Sequence, residues 1–218
     1  MNRDSSSILF ALPSAAILLL GPTGSGKTPL GDLLEKEGLS GRKCFHFDFG
    51  SRLRRYAAAP SGLLSTTELE VVKDSLRIGT LLADEHFPIA EKLLRSFIEE
   101  NHIGQSDLII LNGLPRRAGQ AAALETVVRI IAVVVLDCAA PTVLERIRTD
   151  AGGDRDGRVD DTLEQVTRRL ATFAEKTLPL VEYYQTRGVP IISIEVSACS
   201  SAKNALNILA GRMHQTLG

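Results

Sequence analysis

The 218-residue chain has no excess of charge: 25 Lys and Arg stand against 26 Asp and Glu, for a formal net charge of -1. That balance excludes a general basic field for a nucleic-acid polymer or an anionic membrane, so any anion must be recognised locally. Cysteine is also sparse. Cys44, Cys138 and Cys199 form no CxxC and no paired framework, which excludes a disulfide scaffold and leaves three reduced thiols in or beside apolar stretches. Long apolar runs are missing too. Residues 8–20 come nearest, but Pro13 interrupts them and they lead into a glycine-rich loop instead of a cleavage site, so neither a signal peptide nor a membrane span is expected. A cytoplasmic protein with a loose leader over 1–13 is the expectation. His46, His86, His102 and His214 show no i,i+4 or clustered spacing with carboxylates, which reads as surface or core packing and not as a metal site.

What the chain does have is 44% apolar residues, enough for a sizeable core and incompatible with a disordered tail or a fibre. Of its 25 basic residues 18 are Arg, a bias that suits bidentate phosphate contact and equally the base composition of a gene. Short, strongly apolar runs alternate with longer segments of helical periodicity, which predicts an α/β fold with a parallel sheet covered by helices on both faces. The expected strands are 15–20, 44–48, 107–112, 130–137 and 190–196, and their continuous Ile/Leu/Val character suits burial on both sides. The expected helices are 30–37, 68–76, 87–101, 120–128, 141–148, 163–185 (bent or broken at Pro179) and 202–215. Phe45, Phe47 and Phe49 read as alternating on one strand face. Two segments do not fit. Residues 50–106 are helical where a single crossover would suffice, which suggests an inserted subdomain. Residues 149–161, TDAGGDRDGRVDD, are glycine-rich and charged and read as a mobile surface loop.

The strongest motif is Gly21-Pro22-Thr23-Gly24-Ser25-Gly26-Lys27-Thr28, a complete GxxxxGK[ST] placed between an expected strand and an expected helix. Glycines let successive backbone N–H groups turn inward around a phosphate, and the helix N-terminus adds partial positive charge. Lys27 can reach the terminal phosphates, and the Thr28 hydroxyl can bind Mg²⁺. A nucleoside triphosphate site follows, with ATP and Mg²⁺ as the expected cofactors.

Beyond this loop the sequence resembles the adenylate kinase and nucleoside monophosphate kinase family from residue 17 to about 209. Phe49-Gly50-Ser51-Arg52-Leu53-Arg54 resembles the family's TGDxLR block, and Asn112-Gly113-Leu114-Pro115-Arg116 resembles its DGFPR block, with Gln120 at the glutamine that follows. Arg146, then Gly157-Arg158-Val159-Asp160-Asp161, similar to the RxDD block, Arg169-Leu170 and Pro179-Leu180-Val181 with Tyr183-Tyr184 come in the family's order. The resemblance implies a P-loop NTPase fold with a five-stranded parallel sheet: a core of 14–49, 107–148 and 162–218, a helical monophosphate-binding subdomain over 50–106, and a short lid over 149–161. It implies transfer of the γ-phosphoryl group of ATP to a nucleoside monophosphate, with AMP favoured by Gln120. Arg54 and Arg116 would clamp the acceptor phosphate, Gln120 would read the base, and the backbone of 79–82, including Leu82, and of Gly113 would line its pocket. Lys27, Arg116, Arg146, Arg158 and Arg169 would surround the phosphoryl group in flight, since such chemistry is mostly positioning and positive charge. Closure of both flexible parts would exclude water. The resemblance also implies a monomer, and the short lid carries no cysteine for a structural zinc.

Four departures from the pattern bear on function. The family carboxylates that orient Mg²⁺ through its waters are replaced by Ser51 and Asn112, whose neutral oxygens are expected to accept from those waters more weakly, with Asp48 or Asp137 able to substitute. Pro29 stands where relatives have a threonine whose N–H holds donor phosphate. Thr28 replaces a family glycine, as in general P-loop NTPases, and Phe49 replaces a threonine near the acceptor base. Three other classes remain open: a small-molecule kinase with the same loop, a catalytically weak nucleotide sensor, and a partner-coupled ATPase.

Overall fold

The computed structural model describes residues 13–154 and 162–217. Among them, five strands form one sheet in the order β2-β3-β1-β4-β5, and every neighbouring pair is parallel. These are β1 (Ser14–Leu20), β2 (Cys44–Asp48), β3 (Leu108–Asn112), β4 (Val128–Asp137) and β5 (Ile191–Glu195). Parallel strands need crossovers, and the helices that make them cover both faces. Side chains alternate across β1 accordingly. Ala16, Leu18 and Leu20 join one apolar core with Phe45, Phe47, Ile109 and Leu111, whereas Ala15, Ile17 and Leu19 join a second with Ile110, Val134 and Leu136. Nearly every one of these residues is buried, which explains why the strands read as unbroken apolar runs.

The helices are α1 (Lys27–Glu37), α2 (Phe49–Ala58), α3 (Thr66–Ile78), α4 (Phe87–Glu100), α5 (Ala118–Leu124), α6 (Ala140–Arg148), α7 (Leu163–Thr172), α8 (Leu180–Gln185) and α9 (Ala202–Leu217). Three expectations change. Phe49 does not continue the strand: the Asp48 carboxylate accepts from the Ser51 N–H and caps α2, so Phe49 is its first residue. Its ring is still buried and stacks 6.2 Å from Phe47, which is why an alternating strand pattern reads straight through it. The segment 163–185 is broken at Pro179 as expected, but α7 already ends before it in an unexpected π-turn over Phe173–Thr177. The helix expected at 120–128 stops at Leu124, and Val128 already belongs to β4.

Candidate functional site

The C-terminal ends of β1, β2 and β3 open on one cavity of about 230 Å³, the place where open parallel sheets present ligand sites. Gly26 has φ 97° and serves as the N-cap of α1, a conformation that L side chains rarely adopt, so the loop after β1 turns directly into the helix. Gly21, Thr23, Gly24, Gly26, Lys27 and Thr28 all line the cavity. The Lys27 ammonium folds back onto the loop and donates to the carbonyls of Gly21 at 2.7 Å and Pro22 at 2.6 Å. Ser25, 2% exposed, faces a second cavity behind the loop.

Three arginines from different elements meet at the main cavity: Arg54 on α2, Arg116 after β3 and Arg169 on α7. Among the described residues, Arg116 makes a single side-chain hydrogen bond, from Nε to the Gly113 carbonyl at 3.1 Å. Burial pushes its guanidinium below the usual arginine range, Arg169 and Arg54 push it the same way, and the Asp48 carboxylate opposes them. Like charges brought together around an empty volume are stabilised by an anion placed between them.

At the foot of the cavity, Thr28 Oγ1 donates to Asp48 Oδ2 at 2.9 Å, and Asn112 Nδ2 donates to Asp48 Oδ2 at 2.9 Å and to Thr28 Oγ1 at 3.1 Å. Asp48 and Asn112 are register partners across β2 and β3, so the carboxylate stands directly beside the amide. Of the two candidate acids only Asp48 arrives here, because Asp137 is exposed at the end of β4 and lines neither cavity. Asn112 presents its amide N–H groups to Asp48, not an oxygen to cation-bound water, and that changes the role expected of it. The donor set fits Mg²⁺: one carboxylate and one hydroxyl, both hard oxygens, beside a phosphate-binding loop whose ligand would supply further oxygens.

Gln120 is 3% exposed, accepts from the Arg116 N–H at 2.9 Å and donates to the Leu82 carbonyl at 2.9 Å. One N–H and one lone pair of its amide remain available to a ligand. Leu82, Gly113 and Gln120 all line the main cavity, as do Ser75, Leu76, Thr172, Phe173 and Thr177, which motif matching did not single out. The last three come from the end of α7 and the π-turn, a feature common at functional sites but without a sequence signature.

Arg146 takes a different place. It is 5% exposed on α6, donates from Nε to Gly24 O at 3.0 Å, and donates from Nη1 to the carbonyls of Ser197 at 2.9 Å, Ala198 at 3.3 Å and Ser200 at 2.8 Å. A buried guanidinium needs acceptors, and the β5–α9 loop provides them. It does not line the main cavity. Together with Ser25, Pro29, Glu195 and Asn204 it bounds the second cavity of about 130 Å³. Arg158 lies outside the described residues. His46, read from sequence as bland packing, sits with its Nδ1 2.8 Å from Asp32 Oδ1 and its Nε2 3.5 Å from Asn112 Nδ2.

The sequence profile of the adenylate kinase family matches residues 19–189. The chain belongs to the adenylate kinase family. Adenylate kinases of Stenotrophomonas maltophilia and Thermus thermophilus are each 34% identical to it, over 178 residues (79% of this chain, 86% of the relative) and 186 residues (80% and 85%) respectively. A uridylate kinase of Saccharomyces cerevisiae is 29% identical over 174 residues, 79% of each chain. Membership of the adenylate kinase family makes the protein a phosphotransferase with the P-loop NTPase fold and nucleoside monophosphate kinase activity. Adenylate kinases generally use ATP and Mg²⁺. Among the described residues, no helix is long and apolar enough to cross a membrane.

Proposed function

We propose that the protein transfers the γ-phosphoryl group of ATP to AMP, giving two ADP. The observation that carries this reading is the meeting of Lys27, Arg54, Arg116 and Arg169 with the Thr28/Asp48 pair around one cavity. Two polyanions can share that volume only if their repulsion is neutralised, and a cationic collar does so without any nucleophilic side chain. Backbone N–H groups of 21–28 bind the donor phosphates, with Lys27 turning from its loop carbonyls to the terminal ones. Arg54 and Arg116 hold the acceptor phosphate, while Arg169 faces the phosphoryl group between them. Thr28 and Asp48 would hold Mg²⁺, which would supply neutralisation of the phosphate charge. Arg146 supports the loop from behind, and the second cavity beside it suits the donor base. Residues 50–106 and 149–161, with Arg158 carried over by resemblance, close over the bound pair and exclude water.

The remaining N–H and lone pair of Gln120 match the N6 and N1 edge of adenine, which favours AMP. UMP is the second reading, favoured by the likeness to a uridylate kinase. Asp48 beside Thr28 weakens the case for a sensor that lost its cation-orienting acids.

The test incubates the protein with MgATP and each of AMP, CMP, UMP and GMP and follows ADP. Acceptor-dependent ADP that is highest with AMP and lost in Lys27→Met and Arg116→Ala is expected. ADP released equally without acceptor would instead indicate an ATPase, and ATP binding with no ADP for any acceptor would indicate a sensor.

A further inference from the structure

His46 plays no part in the phosphate chemistry above, yet it is tied into it. Its side chain is 4% exposed and lies beneath α1, where only glycine fits: a Cβ on Gly31 would collide with the imidazole. Asp32, one turn after Thr28 on α1, accepts from Nδ1 at 2.8 Å, and Glu35 accepts from the His46 backbone N–H at 3.0 Å. The Asp32 carboxylate selects the tautomer protonated at Nδ1, so Nε2 carries a lone pair. That lone pair faces Asn112 Nδ2 at 3.5 Å, while the same nitrogen lies 2.9 Å from Asp48 Oδ2.

An amide nitrogen has two N–H groups, and here they meet three acceptors: the Asp48 carboxylate at 2.9 Å with Thr28 Oγ1 beside it at 3.1 Å, and the imidazole at 3.5 Å. With the amide reversed, its oxygen would oppose them, acceptor against acceptor. The ring adds to the carboxylate's demand for an N–H and so helps to fix which way Asn112 points, and Asn112 in turn holds Asp48 Oδ2 beside Thr28 Oγ1.

We propose that His46, set by Asp32, is a positioning residue that helps to fix Asn112 and through it the carboxylate and hydroxyl that face the nucleotide's divalent cation. This rests on the reading of the loop as the site of a metal–ATP complex. Its test needs no acceptor, so phosphoryl transfer can fail or succeed separately.

The probe is Mn²⁺, titrated into the protein with ATP and read by electron paramagnetic resonance, alongside calorimetric titration of metal-free ATP. His46→Leu removes the acceptor at similar volume, whereas His46→Gln can return an oxygen near the Nε2 position. His46→Leu is expected to weaken Mn²⁺ binding in the ATP complex about 10-fold, with metal-free ATP affinity kept within about two-fold and His46→Gln close to the parent. Circular dichroism confirms that each variant is folded. Unchanged Mn²⁺ affinity in folded His46→Leu overturns the proposal. So does a loss of metal-free ATP affinity in step with Mn²⁺ and shared by His46→Gln, because that pattern describes a structural side chain.

Discussion

Two regions on either side of the phosphate loop use the same side chain to opposite ends. In front, Arg116 is half-buried, makes one side-chain hydrogen bond among the described residues, and shares its surroundings with Arg54 and Arg169. Behind, Arg146 is 5% exposed and donates to four backbone carbonyls. A guanidinium left short of acceptors among like charges is poised for an anion from outside, and one anchored through Nε and Nη1 to four carbonyls holds the chain itself together. The surroundings decide the role, and residue type does not.

The contrast makes its largest claim at Arg116. Arg116→Ala should lower kcat/KM for acceptor-dependent ADP formation by about 10²–10³-fold, the usual loss for a donor aimed at developing charge, while the melting temperature stays near the parent's. Arg146→Met should do the reverse. Leaving the carbonyls of Gly24, Ser197, Ala198 and Ser200 without their donor costs about 2–4 kcal/mol, a fall of about 5–10 °C in melting temperature for a chain of this size. Transfer per folded molecule should fall less than in Arg116→Ala. Calorimetry and initial rates on the same preparations check both. An Arg146→Met protein that melts with the parent but loses transfer as Arg116→Ala does would put Arg146 in the reaction and erase the distinction.

Surroundings also govern how much of this molecule is legible in its sequence. Strand positions were legible because parallel strands buried on both faces need apolar side chains throughout, and all five were expected within two residues of their ends. The loop 21–28 was legible because glycine, lysine and threonine at fixed spacing have one local use. Arg146 was not. Its acceptors lie 51, 52 and 54 residues further along the chain and 122 residues before it, and they are backbone atoms that no motif can name. The start of α2 was hidden because Phe49 packs with Phe47 whether it continues a strand or opens a helix, and the deciding Asp48 cap is a hydrogen bond to Ser51. His46 looks isolated in the sequence because its partners come from α1 and β3; the visible hint is that His46 and Asp48 occupy alternate positions opposite Phe45 and Phe47 on β2.

Arg168 offers the finest test, because it stands next to Arg169 in sequence yet belongs to neither class. A step of one residue turns it about 100° around α7, out of the cavity. There it is exposed and donates from Nη2 to the Ile78 carbonyl at 2.8 Å, on the last residue of α3. That carbonyl precedes Gly79 and the run to Leu82 that Gln120 anchors, so the contact ties α7 to the wall of the acceptor pocket. An exposed, charged donor on one carbonyl is worth about 0.5–1 kcal/mol, so Arg168→Gln should raise the acceptor KM about two- to five-fold. The melting temperature and kcat should stay close to the parent's. Steady-state titration of the acceptor at saturating MgATP separates the cases: a loss in kcat near that of Arg116→Ala would place Arg168 with the cage, and a fall in melting temperature near that of Arg146→Met would place it with the scaffold.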